Sequence, residues 1–259
     1  MLRELLLPRR LVMLAILAVI ILLVAVYGRW AWLGEPKYQA LILKGIGNTL
    51  LLLVLTMGIG MALAIPLGLA QAAGPWYLAA PARAFCGLIR GTPLLLQLFL
   101  LYYGIGSLFP GIPGIRDSFL WPVLRDAWYY AVVGLSLSVA GYEGEIMRGA
   151  FRAVPHGQLE AARAMGMPRF TAFRRIWLPQ ALQRVLPTLG GETVLQLKAT
   201  PLVAMITVVD IYAVASRVRS ETLITYEPLL LLAVTYLAIT GAIVALFRWF
   251  ERRVPQKTA

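Results

Sequence analysis

Gln158-Leu159-Glu160-Ala161-Ala162-Arg163-Ala164-Met165-Gly166 stands in a basic loop between two hydrophobic runs, and nine residues further on the chain reads Ile176-Trp177-Leu178-Pro179. Pro155-His156-Gly157 breaks the preceding helix. The pattern predicts a short helix over 158–165, stopped by Gly166, with Pro168 where a helix cannot continue. Ala161, Ala162 and Ala164 are small enough for that helix to sit in a partner's groove. Glu160 supplies a carboxylate at its start, where the helix dipole favours one. A second amphipathic piece over 169–182 carries Arg174 and Arg175 on one side and Phe170, Phe173 and Trp177 for a membrane surface. On composition alone this is a basic loop resting on lipid.

The runs on either side make the chain a membrane protein. Of 259 residues 60% are hydrophobic and 14% charged, and the mean hydropathy is +0.76, too apolar for a soluble domain of this length. Six segments are long and apolar enough to span a bilayer as helices: 11–27, 48–70, 92–109, 128–147, 186–209 and 229–247. None shows the two-residue alternation of a membrane barrel. The net charge of +12 follows topology. With the N-terminus inside, sixteen Lys and Arg fall in cytoplasmic segments and seven in external ones, with Lys198 within a span. The positive-inside rule therefore puts both termini and the 148–184 loop in the cytoplasm. The basic excess is a topology signal and an attraction to anionic lipid heads, and it does not call for nucleic acid.

The first segment is expected to be an uncleaved anchor, because Gly28-Arg29-Trp30-Ala31-Trp32 offers no small-x-small cleavage site. Cys86 is the single cysteine, so no internal disulfide can form. Asn48 and Thr49 precede an apolar run and are expected to cap the start of its helix. Pro110, Pro113 and Pro122, with Gly111 and Gly114, predict an ordered, turn-rich external loop over 110–126 that could receive an external partner. The external segment 211–227, with Arg217, Arg219, Glu221 and Glu227, offers a mixed-charge surface suited to a soluble external partner, and a merely solvated loop would look much the same.

At this spacing Glu160-Ala161-Ala162, Gly166 and Ile176-x-Leu178-Pro179 resemble the EAA motif of bacterial ABC-importer permeases, E-A-A-x3-G-x9-I-x-L-P, with all seven fixed positions filled. Two further runs resemble the polar-amino-acid (histidine, glutamine, arginine) group of these permeases. Arg90-Gly91-Thr92-Pro93-Leu94-Leu95-Leu96-Gln97 is similar to R-G-T-P-L-L-x-Q. Gly141-Tyr142-Glu143-Gly144-Glu145-Ile146-Met147-Arg148-Gly149-Ala150 is similar to A-Y-x-x-E-I-x-R-G-A, with Gly141 for alanine. Taken locally, Gly91 and Thr92 end an interfacial helix and Pro93 starts a new one. Glu145 and Arg148, three apart, can neutralise each other on a helix.

Gly191-Glu192 and Leu197-Lys198-Ala199-Thr200-Pro201-Leu202 look like the group's N-E and L-K-x-T-S-L elements, with Gly191 for Asn and Pro201 for Ser. Charged side chains inside a span are costly, so Glu192, Gln196 and Lys198 are expected to face protein or a wet cavity. With Thr200 and Gln97 they are candidates for the translocation path. A substrate ammonium beside Glu192 and a purely interhelical role both remain open.

The resemblance covers about 45–253. It implies an all-α type I ABC-importer transmembrane domain of about six spans, a five-helix core plus one N-terminal helix, with 1–44 a tail, anchor and external loop and 254–259 a cytoplasmic tail. It also implies a non-catalytic permease subunit in the bacterial cytoplasmic (inner) membrane, dimeric with itself or a homologue. Two ABC ATPase subunits, carrying the ATP and Mg, would grip the helix around Gln158, Glu160, Ala161, Ala162, Arg163 and Gly166, with Ile176, Leu178 and Pro179 behind it. An external binding protein would deliver the amino acid. The chain has no Gly-Lys dipeptide and hence no P-loop lysine, and His156 has no Cys or His neighbours for a metal. An ion-gradient-driven secondary transporter or channel working through Glu192 and Lys198 is the competing expectation, and a membrane scaffold a third.

Overall fold

The computed structural model describes residues 28–253, together with Val19 and Val26. The anchor expected over 11–27, its uncleaved state and the tail 254–259 lie outside the described residues. The described chain is helical, with no strand among the described residues.

After one 3-10 turn at Ala31–Gly34 comes α1, Pro36–Ala73. At 38 residues it is about 57 Å long, well beyond the roughly 30 Å of a hydrocarbon core. It starts at Pro36, whose fixed φ and missing N–H suit a first helical turn. The expected start at Asn48 is therefore corrected: Asn48 and Thr49 lie mid-helix, and both hold a distant segment instead of capping. Asn48 Nδ2 donates to the Val209 carbonyl at 2.7 Å, and Thr49 Oγ1 accepts the Ile211 N–H at 3.2 Å. α1 also runs through the 44/45 boundary, so no break in the fold occurs there.

α2, Trp76–Gly91, leads to α3, Leu94–Gly111, which passes through a π turn at Leu100–Ile105 into a 3-10 end. The stretch to residue 126 is built of short turns, including Ile115–Asp117 and Trp121–Leu124, as its prolines and glycines predict. α4, Ala127–Ala153, begins where Asp126 accepts the Trp128 N–H. α5, His156–Ala164, is the short helix of the basic loop. α6 runs Arg169–Ile206, and α7, Ile211–Thr222, follows after a 52° bend. α8 is Tyr226–Arg253.

Two segments differ from expectation. The amphipathic piece over 169–182 is not separate, because it continues into the fifth span as one helix. Pro179, which cannot donate to the preceding turn, follows a π turn at Phe173–Trp177 that absorbs the mismatch. The expected loop from 211 is largely α7, a helix whose Ile211, Val214, Ala215 and Val218 are buried.

Among the described residues three helices are long and apolar enough to cross a membrane, or four if the bent α6–α7 pair counts as one. α4, over the expected 128–147 span, is missing from those because Glu143 and Glu145, with glycine, serine and tyrosine, dilute its hydropathy. It has the length, at 27 residues, and lies inside the bundle where such residues are useful. Its most extensive partner is α1. A Cβ at Gly60 would come within 2.4 Å of Val139, and one at Gly68 within 2.6 Å of Met147. Two apolar clusters sit at opposite ends of this pair, one around Leu52, Leu98, Leu135 and Ile206 and one around Ala64, Met147, Phe151 and Val185.

Candidate functional site

α5 hangs beside the second cluster as a surface helix. Only Ala162 is buried, while Gln158, Glu160, Ala161 and Arg163 are exposed. It starts at His156, two residues earlier than expected, because the extended Pro155 ends the preceding chain there. Its end is a Schellman turn: Met167 N–H donates to the Ala162 carbonyl and Gly166 N–H to that of Arg163, with Gly166 left-handed at φ +72°. The turn presents Met165, 85% exposed, at the tip.

The second half of the motif has the opposite placement. Trp177 donates its indole N–H to the Phe151 carbonyl at 2.9 Å and stacks edge-on against the Phe151 ring. Phe173 and Leu178 pack on the same cluster, and Ile176 and Pro179 are half-buried. This corrects the assignment of Phe173 and Trp177 to a membrane surface, since both turn inward, whereas Phe170 stays exposed. Glu160-Ala161-Ala162 to Gly166 thus offers itself outward, and Ile176 to Pro179 roots it.

The R-G-T-P run makes a corner. Thr92, held extended by the following proline, ends α2. Gln97 Nε2 reaches back to the carbonyls of Ile89 and Thr92 and to the Thr92 hydroxyl, at 2.8 to 3.1 Å. Glu145 pairs with Arg148 at 2.7 Å, as expected, and Arg90 joins the same carboxylate at 3.8 Å. Gly141, where a Cβ would come within 2.6 Å of Ile89, lets the corner seat against α4.

Behind the corner lies a cavity of about 310 Å³ between α1, α2, α3, α4 and α6. Of the path candidates, Glu192, Gln196 and Gln97 line it. Lys198 and Thr200 do not: Lys198 is exposed, and the buried Thr200 hydroxyl bonds the Leu197 carbonyl and the Tyr236 hydroxyl. Gln196 Nε2 is held by Thr56 Oγ1 at 3.1 Å. One cavity residue, Glu143, was not among the candidates. Its signal was present: Glu145 has Arg148 three residues on, while Ile146 and Met147 give Glu143 no partner at helical spacing.

The chain matches the model of a family described as binding-protein-dependent transport system inner membrane component over residues 64–256. It is 40% identical over 218 residues to the octopine transport system permease protein OccM of Rhizobium radiobacter, covering 82% of this chain and 87% of that protein. It is 36% identical over 209 residues to the histidine/lysine/arginine/ornithine transport system permease protein HisM of Escherichia coli K12, covering 81% and 87%. A solved amino acid ABC transporter with histidines superposes with a TM-score of 0.69 at 32% identity, over 86% of this chain and 98% of that one. The methionine ABC transporter MetNI, in an inward-facing conformation, shares the fold at a TM-score of 0.64 and 17% identity, over 83% and 98%.

Proposed function

The chain belongs to the binding-protein-dependent transport inner membrane component family, and from that premise we propose how its parts divide the work of import. It is a non-catalytic, multi-pass inner-membrane permease subunit of an ATP-driven importer of polar amino acids. ATP and Mg belong to partner ATPase subunits, which grip α5 through Glu160, Ala161, Ala162 and Gly166. The observation that carries this is the split of the motif, an exposed helix rooted through Trp177 on Phe151. A force on α5 is thereby passed to α4 and α6 together, and rocking these helices alternates access to the cavity that Glu192 and Gln196 line. A second permease subunit, identical or homologous, completes the path, and an external binding protein delivers the amino acid to the end opposite α5. Both termini are cytoplasmic.

The test is uptake of labelled arginine, histidine, glutamine and glutamate into proteoliposomes holding this chain with its co-encoded ATPase and binding protein. ATP-dependent uptake that is lost on changing Glu160 or Gly166 is expected. Uptake without ATP and indifferent to those changes would hand the chain to the secondary-transporter class.

A further inference from the structure

A second cavity, of about 750 Å³, lies at the end of the bundle opposite α5. Ala127 and Val208 line it and belong to the apolar cluster around Leu52, Leu98, Leu135 and Ile206. Its wall holds three charged side chains, Lys44 of α1 and Arg125 and Asp126 just before α4. Neither cation has a carboxylate or ring partner among the described residues, whereas Lys37 and Arg217 share Glu221, and Arg116 lies over the Trp121 ring. Asp126 spends Oδ1 on the Trp128 N–H at 3.0 Å, and its other carboxylate oxygen has no partner among the described residues. On the importer reading this end is external, where the positive-inside bias disfavours Lys and Arg. Two unpaired cations and a half-used carboxylate in one cavity match a small zwitterion, and the volume is that of a small-molecule site.

This outer cavity and the one lined by Glu192 are stacked on the same helices. Along α1 the order is Asn48 at the outer cavity, Leu52 in the cluster and Met57 at the inner cavity, and along α4 it is Trp128, Leu135 and Ser138. The run from Asn48 to Met57 separates the two by about 14 Å at the rise of an α-helix. Leu52, Leu98, Leu135, Val203 and Ile206, all wholly buried, form a dry layer between them. A zwitterion at the outer cavity cannot cross that layer until the helices move, because neither charged end finds a partner in it.

We propose that the outer cavity is a holding site for the backbone of the amino acid, in which Lys44 and Arg125 take the α-carboxylate and the free oxygen of Asp126 takes the α-ammonium. This rests on the importer reading given above. The groups it uses are common to every α-amino acid, so it accepts them whatever their side chain. Its work is to keep an amino acid released at the outer face from diffusing away before the helices rock.

A cysteine reporter tests the site. Tyr129 lines the outer cavity and is 44% exposed, while the single native cysteine, Cys86, is wholly buried. In Tyr129→Cys, within the permease–ATPase complex in proteoliposomes, the rate of labelling by a membrane-impermeant trimethylammonium thiosulfonate is read with and without added ligand. Arginine and glutamine, each at about ten times its dissociation constant, should slow labelling about tenfold, whereas agmatine, which is arginine without its carboxylate, should not. Adding Arg125→Gln should abolish protection and Arg125→Lys should keep it. Asp126→Asn, which still caps α4 but carries no charge, should abolish it too. Equal protection by agmatine and arginine, or protection that survives both Arg125→Gln and Asp126→Asn, overturns the assignment. So does labelling that ignores amino acids and instead slows as phosphatidylglycerol is added to the vesicles, which would give the cations to lipid phosphate. ATP-dependent uptake with the binding protein is measured on the same vesicles holding the unmodified chain. Intact uptake alongside any of those results leaves the importer reading standing, and absent uptake of every amino acid removes that reading and the holding site with it.

Discussion

Trp177 donates its indole N–H to the Phe151 carbonyl at 2.9 Å, tying the start of α6 to the end of α4 across the short helix that the two flank. α4 ends at Ala153 and α6 begins at Arg169, so α5 and its turns form a loop closed at its base by this bond and by the Phe151, Phe173 and Trp177 rings. On the proposed coupling, a pull on α5 would move two helices of the bundle at once.

Trp177→Phe keeps the ring contact and deletes the bond, which costs about 1 kcal/mol of stability. It should lower the melting temperature of the purified protein slightly and reduce uptake per ATP hydrolysed by much more, because the base of the loop loosens. Measuring ATP turnover and uptake together decides it, and an unchanged ratio would show that the bond transmits nothing.

Gly166 is left-handed at φ +72°, and a Cβ there would meet nothing within 4 Å. Substitution is therefore penalised by backbone strain, about 1 to 2 kcal/mol for an ordinary residue, and by any groove in which a partner holds the turn. Gly166→Ala and Gly166→Asp should weaken ATPase co-purification with the permease while leaving membrane insertion intact. Asn tolerates this conformation better, so Gly166→Asn should retain more of the association than Gly166→Ala. Equal losses for Asn and Ala would point to the groove instead of the strain.

Thr49 is wholly buried and holds the Ile211 N–H, just past the bend between α6 and α7. Thr49→Val is close in shape but leaves that N–H without an acceptor, a cost of about 1 to 3 kcal/mol. Hydrogen exchange over 207–213 should accelerate in the variant, with little change in α4. Unaltered exchange there would mean that Asn48, bonded to the Val209 carbonyl, holds the bend alone.

What the sequence displayed and what it hid separate along physical lines. The Glu145–Arg148 pair, the Gly166 stop and the break at Thr92-Pro93 follow from helical spacing and local backbone rules, and all three are present in the structure. Long-range relations do not follow from spacing. Nothing near Asn48 and Thr49 indicates that a segment some 160 residues away needs their oxygens and amide, so a capping role looked sufficient. Trp177 reads as lipid-facing in the sequence, since periodicity shows that a face is apolar but not whether protein or membrane covers it. Glu143 does not stand out in the sequence because Glu145, two residues on, has a visible partner in Arg148 and accounts for the charge of the run. Of the five path candidates, the three that line the cavity come from two helices, a convergence that only the fold supplies.

Beyond the bend, Glu221 joins α7 to the start of α1. Its carboxylate accepts from Lys37 at 2.5 Å, from Arg217 at 2.8 Å and from Tyr38 at 3.1 Å. The hydrogen bond from Lys37 first, and that from Arg217 next, push its pKa down to about 2 from the ordinary 4.5. A folded-state value below the unfolded one means that the contact contributes fully above about pH 4.5 and is lost as pH falls toward 2. The group is solvent-exposed, so the global effect is small and the local one is where to look. Hydrogen exchange of 211–222, corrected for its intrinsic pH dependence, should rise across that window in wild type. In Glu221→Gln, which does not titrate, the profile should be flat and sit near the acidic wild-type level. If both proteins show the same profile, α7 is held by Val214 and Val218 against Trp32 and Tyr38, and the charged contact is incidental to it.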